Sequence, residues 1–198
     1  MTGYELAKYF DRSVAFIWQA RHSQIYTELR RLEAEGLVVA ETLPRGEKAL
    51  ATKRAYALTP AGAEELHRWV TEAAPPPPLR DTAYVKATYL EYGSYQQARR
   101  WFRAHRSHYE ALRDQYERHV DDLERRATDL LRCRLAQAPD PTHDAIVAYK
   151  VHAYRGLIER TKTEIAWADR GLELVNRLSE GHDLSDPVLP PSAPHPPT

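Results

Sequence analysis

A polar stretch near the N-terminus carries residue types that can read DNA. Its pattern predicts a helix over residues 22–35, with Ile25, Leu29 and Leu32 on one apolar stripe and Gly36 as the terminating residue. Arginine pairs bidentately with guanine, glutamine pairs with adenine, and serine or threonine bonds to base edges or phosphates. The candidates for DNA contact on the polar side are Ser23, Gln24, Tyr26, Thr27, Arg30 and Arg31. We expect Gln24 and Thr27 to contact bases, and Tyr26 and Arg30 to contact the backbone.

A second basic set follows at the tip of a predicted β-hairpin. The strands are expected over residues 37–43 and 54–58, with turn-forming residues at 44–48 between them. The cations here are Arg45, Lys48, Lys53 and Arg54, and Glu47 opposes them. Such a loop suits phosphate or minor-groove contact. The alternatives are an ordinary solvated turn here and an ordinary solvated helix face at Arg30 and Arg31.

The elements around these candidates have the order of a winged helix. Thr2 and Glu5 form a capping-box pattern that predicts a helix over residues 3–10, followed by a short helix or turn at 14–20. Thr59 and Pro60 then provide an N-cap and a first helical residue. The helix that they begin should run to about residue 73 and bury Leu66 and Val70. Helix, helix, hairpin and helix together predict a DNA-binding domain over residues 1–74.

Proline-rich segments divide the rest of the chain. A run of four prolines at 75–78 predicts a stiff linker over residues 75–80. An α-helical dimerisation domain is expected over residues 81–178. The Pro- and Ser-rich residues 179–198 are expected to be a disordered tail.

The helical part carries two long heptad patterns. One helix should start at the capping box of Ser94 and Gln97 and run to about residue 137, and a second should restart at Asp140 and Pro141. The first seam comprises Phe102, Tyr109, Tyr116, Leu123 and Leu130. The second comprises Val147, Tyr154, Thr161, Ala168 and Val175. Two such coiled-coil-like helices predict an antiparallel hairpin, and their apolar stripes favour a homodimer.

Composition excludes several classes of function. Lysines and arginines number 28, as do aspartates and glutamates, so DNA binding must rest on local charge. A lone cysteine, Cys133, and the lack of a long apolar run indicate a cytoplasmic protein. No phosphate loop, nucleophile elbow or zinc-protease motif is present, so we expect no enzyme activity, cofactor or metal. His105, His108 and His119 leave metal binding as a minor alternative. The tryptophans Trp18, Trp69, Trp101 and Trp167 either pack in cores or line a pocket for a small aromatic or hydrophobic effector.

Three segments resemble PadR-family regulators in their order and spacing. They are residues 2–6 (TGYEL), residues 22–38 and residues 56–62 (YALTPAG). The resemblance implies a mainly α fold, a winged helix-turn-helix with a small wing followed by a helical dimerisation hairpin. It also implies a dimeric regulator, usually a repressor, that binds a palindromic operator and is released by a small molecule. Family members usually carry another helix before the first segment, which begins at residue 2 here. The rival interpretation is a helical protein-interaction scaffold with little or no DNA binding, which zero net charge favours.

Overall fold

The computed structural model describes residues 1–12, 17, 21–44, 52–75, 78 and 80–185. The chain divides into two compact units, residues 1–78 and 79–198. Three predicted features lie outside the described residues: the helix or turn at 14–20 apart from Ile17, the hairpin tip at 45–51, and residues 186–198.

The first unit has the predicted winged-helix order, and this prediction is confirmed. Its elements are α1 (Gly3–Arg12), α2 (His22–Ala34), β1 (Val38–Pro44), β2 (Thr52–Leu58) and α3 (Pro60–Thr71). The strands pair antiparallel, with Val38 opposite Leu58 and Pro44 opposite Thr52. The hairpin therefore has a regular register up to its tip.

Local capping explains where these helices begin and end. The backbone amide of Thr2 donates to Glu5 Oε2 over 2.8 Å, and the amide of Glu5 donates to Thr2 Oγ1 over 3.2 Å. This is the predicted capping box. Gly36 has a φ of 72°, the left-handed conformation that ends α2. The amide of Gly62 donates to Thr59 Oγ1 over 3.0 Å, so Thr59 is the predicted cap of α3.

The first two residues extend the hairpin, which the sequence patterns did not predict. Thr2 forms an antiparallel bridge with Ala55, and the amide of Tyr56 donates to the carbonyl of Met1 over 2.7 Å. These bonds use the outer edge of β2. The start of α1 is therefore attached directly to the wing.

The prediction that α3 buries Leu66 and Val70 is wrong for this unit by itself. Leu66 is 50% exposed and Val70 is 61% exposed. The helix is anchored at its first turn, where Gly62 is buried and a Cβ there would lie 1.9 Å from the carbonyl oxygen of Leu37. The later turns carry their apolar side chains outward because they are not covered by the small hairpin.

The second unit consists of two long antiparallel helices with shorter ones around them. Its elements are α4 (Thr82–Ala87), a 3₁₀ turn (Leu90–Tyr92), α5 (Tyr95–Glu124), α6 (Asp129–Ala136), a 3₁₀ turn (Asp140–Thr142) and α7 (His143–Leu178). Near one end, α5 and α7 meet where Phe102 packs on Gly171. Near the other, Arg155 forms an ion pair with Glu124 over 2.8 Å. The predicted hairpin is thus confirmed, with α6 inserted at its turn.

Most of the predicted heptad seam is buried between these helices. The buried seam residues are Phe102, Tyr116 and Leu123 of α5, and Tyr154, Thr161, Ala168 and Val175 of α7. One apolar cluster joins Ala98, Phe102, Ala168 and Val175. Gly171 is required beside it, because a Cβ there would approach the ring of Phe102 to 2.3 Å.

The prediction of an unbroken first helix up to residue 137 is wrong. The chain turns after Glu124, and Arg126 adopts a left-handed φ of 53°. Thr128 then caps α6 by accepting a hydrogen bond from the amide of Leu131 over 3.3 Å. The turn changes the helical phase, so Leu131 is buried in place of the predicted Leu130.

Residues 179–185, the described start of the predicted tail, are folded. Ser179 is buried and its hydroxyl accepts a hydrogen bond from Arg99 over 3.0 Å. The amide of Gln96 donates to the carbonyl of Leu184 over 2.8 Å. Residues 179–185 therefore pack on the start of α5. Within the described part of the chain, no helix has the length and apolar character that crossing a membrane requires.

Candidate nucleic-acid interface

Helix α2 separates its apolar and polar residues as the sequence pattern predicts. Leu29 is buried at 8% exposure, and Ile25 and Leu32 are half-buried. The polar candidates of α2 are all exposed: Ser23, Gln24, Tyr26, Thr27, Arg30 and Arg31. The helix therefore presents a polar outer face that a DNA groove can accept.

Two of these side chains already make bonds within the start of α2. The backbone amide of Arg21 donates to Gln24 Oε1 over 2.8 Å, and the hydroxyl of Thr27 donates to the carbonyl of Ser23 over 2.9 Å. Gln24 keeps its amide N–H donors, and Thr27 keeps its oxygen lone pairs. Bidentate pairing of Gln24 with adenine would use the second lone pair of Gln24 Oε1, because the first already accepts from the amide of Arg21.

The adjacent arginines of α2 have different surroundings. Arg31 binds Glu28 Oε2 over 2.8 Å and Glu35 Oε1 over 2.7 Å. The hydrogen bond to Glu28 is the largest cause of the raised pKa of Arg31, followed by the charge of Glu28 and the pairing with Glu35. No described residue forms an ion pair with Arg30. Arg30 is therefore the arginine of this pair that is available for an external anion.

The cationic candidates of the β1–β2 hairpin also differ in whether they are already paired. Arg45 and Lys48 lie outside the described residues. Arg54 forms an ion pair with Glu33 of α2 and lies over the ring of Tyr56, with 5.7 Å from its Cζ to the ring centroid. Arg54 thus helps to hold β2 against α2. Lys53 is exposed and makes no ion pair with any residue that the structure describes.

A groove of about 640 Å³ lies between the start of α1, the middle of α2 and strand β2. We call it the α1–α2–β2 groove. Its lining residues are Thr2, Gly3, Tyr4, Glu5, Tyr26, Arg30, Lys53, Arg54 and Tyr56. The groove brings four predicted DNA contacts, Tyr26, Arg30, Lys53 and Arg54, to one place. Sequence reasoning missed Gly3 and Tyr4, although both stand in the segment that carries the family resemblance.

The carboxylate in this groove is held by its own helix. Glu5 accepts the hydrogen bond from the amide of Thr2, and this bond is the largest cause of its lowered pKa. The hydroxyl of Thr2 and the positive charge of Lys53 lower the pKa of Glu5 further. Glu5 therefore stays ionised, and the charged lining residues sum to a net charge of +2.

The tryptophans that could line an effector pocket have separate environments. Trp69 is 71% exposed on α3, and Trp18 lies outside the described residues. Trp101 and Trp167 meet edge to face, with 5.8 Å between their ring centroids, and both contact Phe102. This geometry is that of a packed aromatic cluster in the second unit.

A buried polar pair lies inside the same cluster. His105 Nε2 is 3.0 Å from Glu164 Oε2, and the hydroxyl of Tyr84 donates to Glu164 Oε1 over 3.0 Å. Burial is the largest cause of the raised pKa of Tyr84, followed by its bond to Glu164. His105 is thus used internally. The described residues contain no group of three or more side chains that is arranged to hold a metal ion, and Cys133 is exposed.

Comparisons with known proteins agree with this geometry. Residues 1–68 match the transcriptional regulator PadR-like family. The negative transcriptional regulator PadR of Bacillus subtilis is 36% identical over 99 residues, which cover 50% of this chain and 53% of that protein. The sequence match therefore spans about half the length of that relative.

Solved structures extend the similarity along most of the chain. The crystal structure of Bacillus subtilis PadR in complex with operator DNA is 28% identical with a TM-score of 0.68, over 88% of this chain and 89% of that chain. The structure of the same protein in complex with p-coumaric acid is 25% identical with a TM-score of 0.63, and the match covers 89% of this chain and 90% of that chain.

The fold and its exposed α2 place this chain in the winged helix-turn-helix class, with a helical hairpin in its second unit. Within that class, the resemblance to PadR-family regulators that the three sequence segments predicted is confirmed over residues 1–68. That family is one of transcriptional regulators rather than enzymes.

Proposed function

We propose that this protein is a cytoplasmic transcriptional regulator that binds a palindromic DNA operator as a homodimer. The exposed face of α2 enters the major groove, and the wing contacts the flanking backbone. The observation that carries this proposal is the division of α2, in which Leu29 is buried while Ser23, Thr27 and Arg30 are exposed.

Repression is the mode of action that we propose. The Bacillus subtilis relative is described as a negative regulator, and its structure contains operator DNA. A repressor of this kind needs only to occupy its operator, and the exposed polar face of α2 offers side chains that suit this role.

The proposed homodimer is supported by apolar residues that the second unit leaves exposed. On α7, Tyr149 is 78% exposed, Leu174 is 44% exposed and Leu178 is 53% exposed. A two-fold dimer would cover part of this surface, and a palindromic operator has the matching symmetry.

A small aromatic or hydrophobic effector is proposed to release the operator. The support is the structure of the Bacillus subtilis relative with p-coumaric acid, a small aromatic acid. Titration of p-coumaric acid into the complex of this protein with DNA tests the proposal. Release at concentrations that leave the protein folded would support it, and unchanged binding at saturation would contradict it for this compound.

DNA binding itself is tested with labelled duplexes that tile the region upstream of the protein's own gene. We expect one duplex to bind more tightly than a scrambled duplex of the same composition, with affinity that falls steeply as salt rises. Multi-angle light scattering should give the mass of two chains. Binding without sequence preference at every salt concentration would favour the interaction scaffold instead.

A double variant and a control variant test whether α2 provides the contacts with DNA. Thr27→Ala with Arg30→Gln should weaken binding to the preferred duplex strongly. Arg68→Gln on α3 removes one charge that is paired with Glu65 and Glu72, and should leave binding near that of the wild type.

A further inference from the structure

The α1–α2–β2 groove depends on a close approach between two helices. A Cβ on Gly3 would lie 2.6 Å from Cε1 of Tyr26, so the absence of a side chain lets the Tyr26 ring pack against the start of α1. This contact fixes the direction of the ring, while 39% of Tyr26 stays exposed. The groove is therefore a shaped feature of the fold rather than a gap between mobile side chains.

Two cations in the groove are available for a ligand. Arg54 is paired with Glu33, but Arg30 and Lys53 form no ion pair within the described part of the chain. They come from different elements, because Arg30 belongs to α2 and Lys53 to β2. A bound anion would therefore bridge α2 and the β1–β2 hairpin.

Tyrosine hydroxyls complete the lining. Tyr4 is 70% exposed on the first turn of α1, and the structure gives its hydroxyl no partner among the described residues. At the N-terminus of α1, the carboxylate of Glu5 already accepts from the amide of Thr2. The donors considered for an anion in this groove are therefore the side chains that line it. Cationic groups together with hydroxyl donors are the set that binds phosphate oxygens.

We propose that the α1–α2–β2 groove seats one phosphate of the DNA backbone, held by Arg30 and Lys53 and by the hydroxyls of Tyr4 and Tyr26. This inference rests on the proposed DNA binding and deepens it. It makes Tyr4 of α1 a DNA contact, and it gives Lys53 a role distinct from that of the hairpin tip. The bound phosphate sets the depth at which α2 enters the major groove of the DNA, so that Ser23 and Thr27 reach the bases.

The test replaces single backbone phosphates by uncharged methylphosphonates in the duplex that the wild-type protein prefers. For the wild type, one position in each half-site should weaken binding. For the double variant Tyr4→Phe with Lys53→Gln, the same replacement should have a much smaller effect, because two of the four groups that hold the phosphate are already removed. The slope of log K against log salt should also fall by about 0.9 for each subunit bound.

Arg68→Gln is the matched control, since it removes a positive charge from the same unit outside the groove. It should keep the wild-type sensitivity to methylphosphonate. Thermal melting followed by circular dichroism checks that each variant is folded. Gly3→Ala, which forces the Tyr26 ring to move, should reproduce the loss of sensitivity if it folds.

The outcomes separate this inference from the function on which it rests. If the wild type binds its preferred duplex, but the double variant keeps full sensitivity at every methylphosphonate position, the phosphate seat is refuted and DNA binding stands. If the wild type binds no duplex at any salt concentration, both are refuted.

Discussion

The adjacent arginines of α2 provide a matched pair of substitutions. Arg30 lines the α1–α2–β2 groove without an ion pair to any described residue, whereas Arg31 is held by Glu28 and Glu35. Arg30→Gln and Arg31→Gln remove the same charge from neighbouring positions of one exposed face. The structure therefore predicts different effects from two substitutions that the sequence alone makes equivalent.

The size of the difference follows from counterion release. Each phosphate contact contributes about 0.9 to the slope of log K against log salt. Loss of the Arg30 contact in both subunits of a dimer should reduce the slope by about 1.8. Over a fourfold change in salt, the ratio of wild-type to Arg30→Gln affinity should then change by about 12-fold, or by about 3.5-fold if one subunit binds. Arg31→Gln should leave the slope close to that of the wild type.

Fluorescence anisotropy with one labelled duplex, between about 50 and about 200 mM salt, measures these slopes. Circular dichroism before and after heating shows whether both variants keep the wild-type fold. A slope that falls as far for Arg31→Gln as for Arg30→Gln would contradict this prediction, because it would mean that Arg31 leaves its glutamates to bind DNA.

Three further predictions concern the second unit. Gly171→Ala places a Cβ against Phe102 and should lower the free energy of unfolding by about 1–3 kcal/mol, and adding Phe102→Leu should recover part of the loss in urea titrations. No recovery would mean that the two residues do not share that space. Tyr84→Phe removes a hydrogen bond to the buried Glu164 and should cost about 1.5 kcal/mol by the same titration, and an unchanged midpoint would contradict the assigned bond. Burial lowers the pKa of His119 below its ordinary 6.5, so the folded state favours the neutral ring. The neutral His119 ring therefore contributes its full stability above about pH 6.5, and this contribution is lost as the pH falls through the folded-state pKa of His119. The variant His119→Phe should make the free energy of unfolding less dependent on pH in that range. An equally steep dependence in the variant would assign it to other groups.

The elements that sequence reasoning located well are those with local signals. Capping boxes at Thr2 and Ser94 and the cap at Thr59 are set by residues within one turn, and all three form as predicted. Gly36 ends α2 in the same local way. The heptad seams are also local in period, and most of their members are buried.

The misjudged features depend on contacts distant in sequence or on small changes of phase. The turn at Arg126 contains no glycine or proline, so the heptad pattern ran through it, and Thr128 was the available signal for a new helix start. The exposure of Leu66 and Val70 depends on how much of α3 the small hairpin covers, which periodicity does not reveal.

The sequence identified most of the charged residues of the α1–α2–β2 groove but did not show that they lie together. The helical period placed Tyr26 and Arg30 outward, and charge identified Lys53. Their meeting with Tyr4 depends on the pairing of Met1 and Thr2 with β2, a contact across more than fifty residues. Helical spacing gives both arginines a glutamate partner, because Glu33 follows Arg30 by three residues and Glu35 follows Arg31 by four. The structure distinguishes the two arginines, since Glu33 pairs with Arg54 instead.

The central claim is that the outer face of α2 lies against DNA. Site-specific photo-crosslinking tests it most directly, with p-azidophenylalanine in place of Thr27 in one variant and in place of the exposed Glu64 of α3 in another. If this face lies against DNA, position 27 should crosslink to the preferred duplex, at bases within each half-site, and position 64 should not. Crosslinks from position 64 alone, at protein concentrations at which both variants bind the duplex, would contradict it.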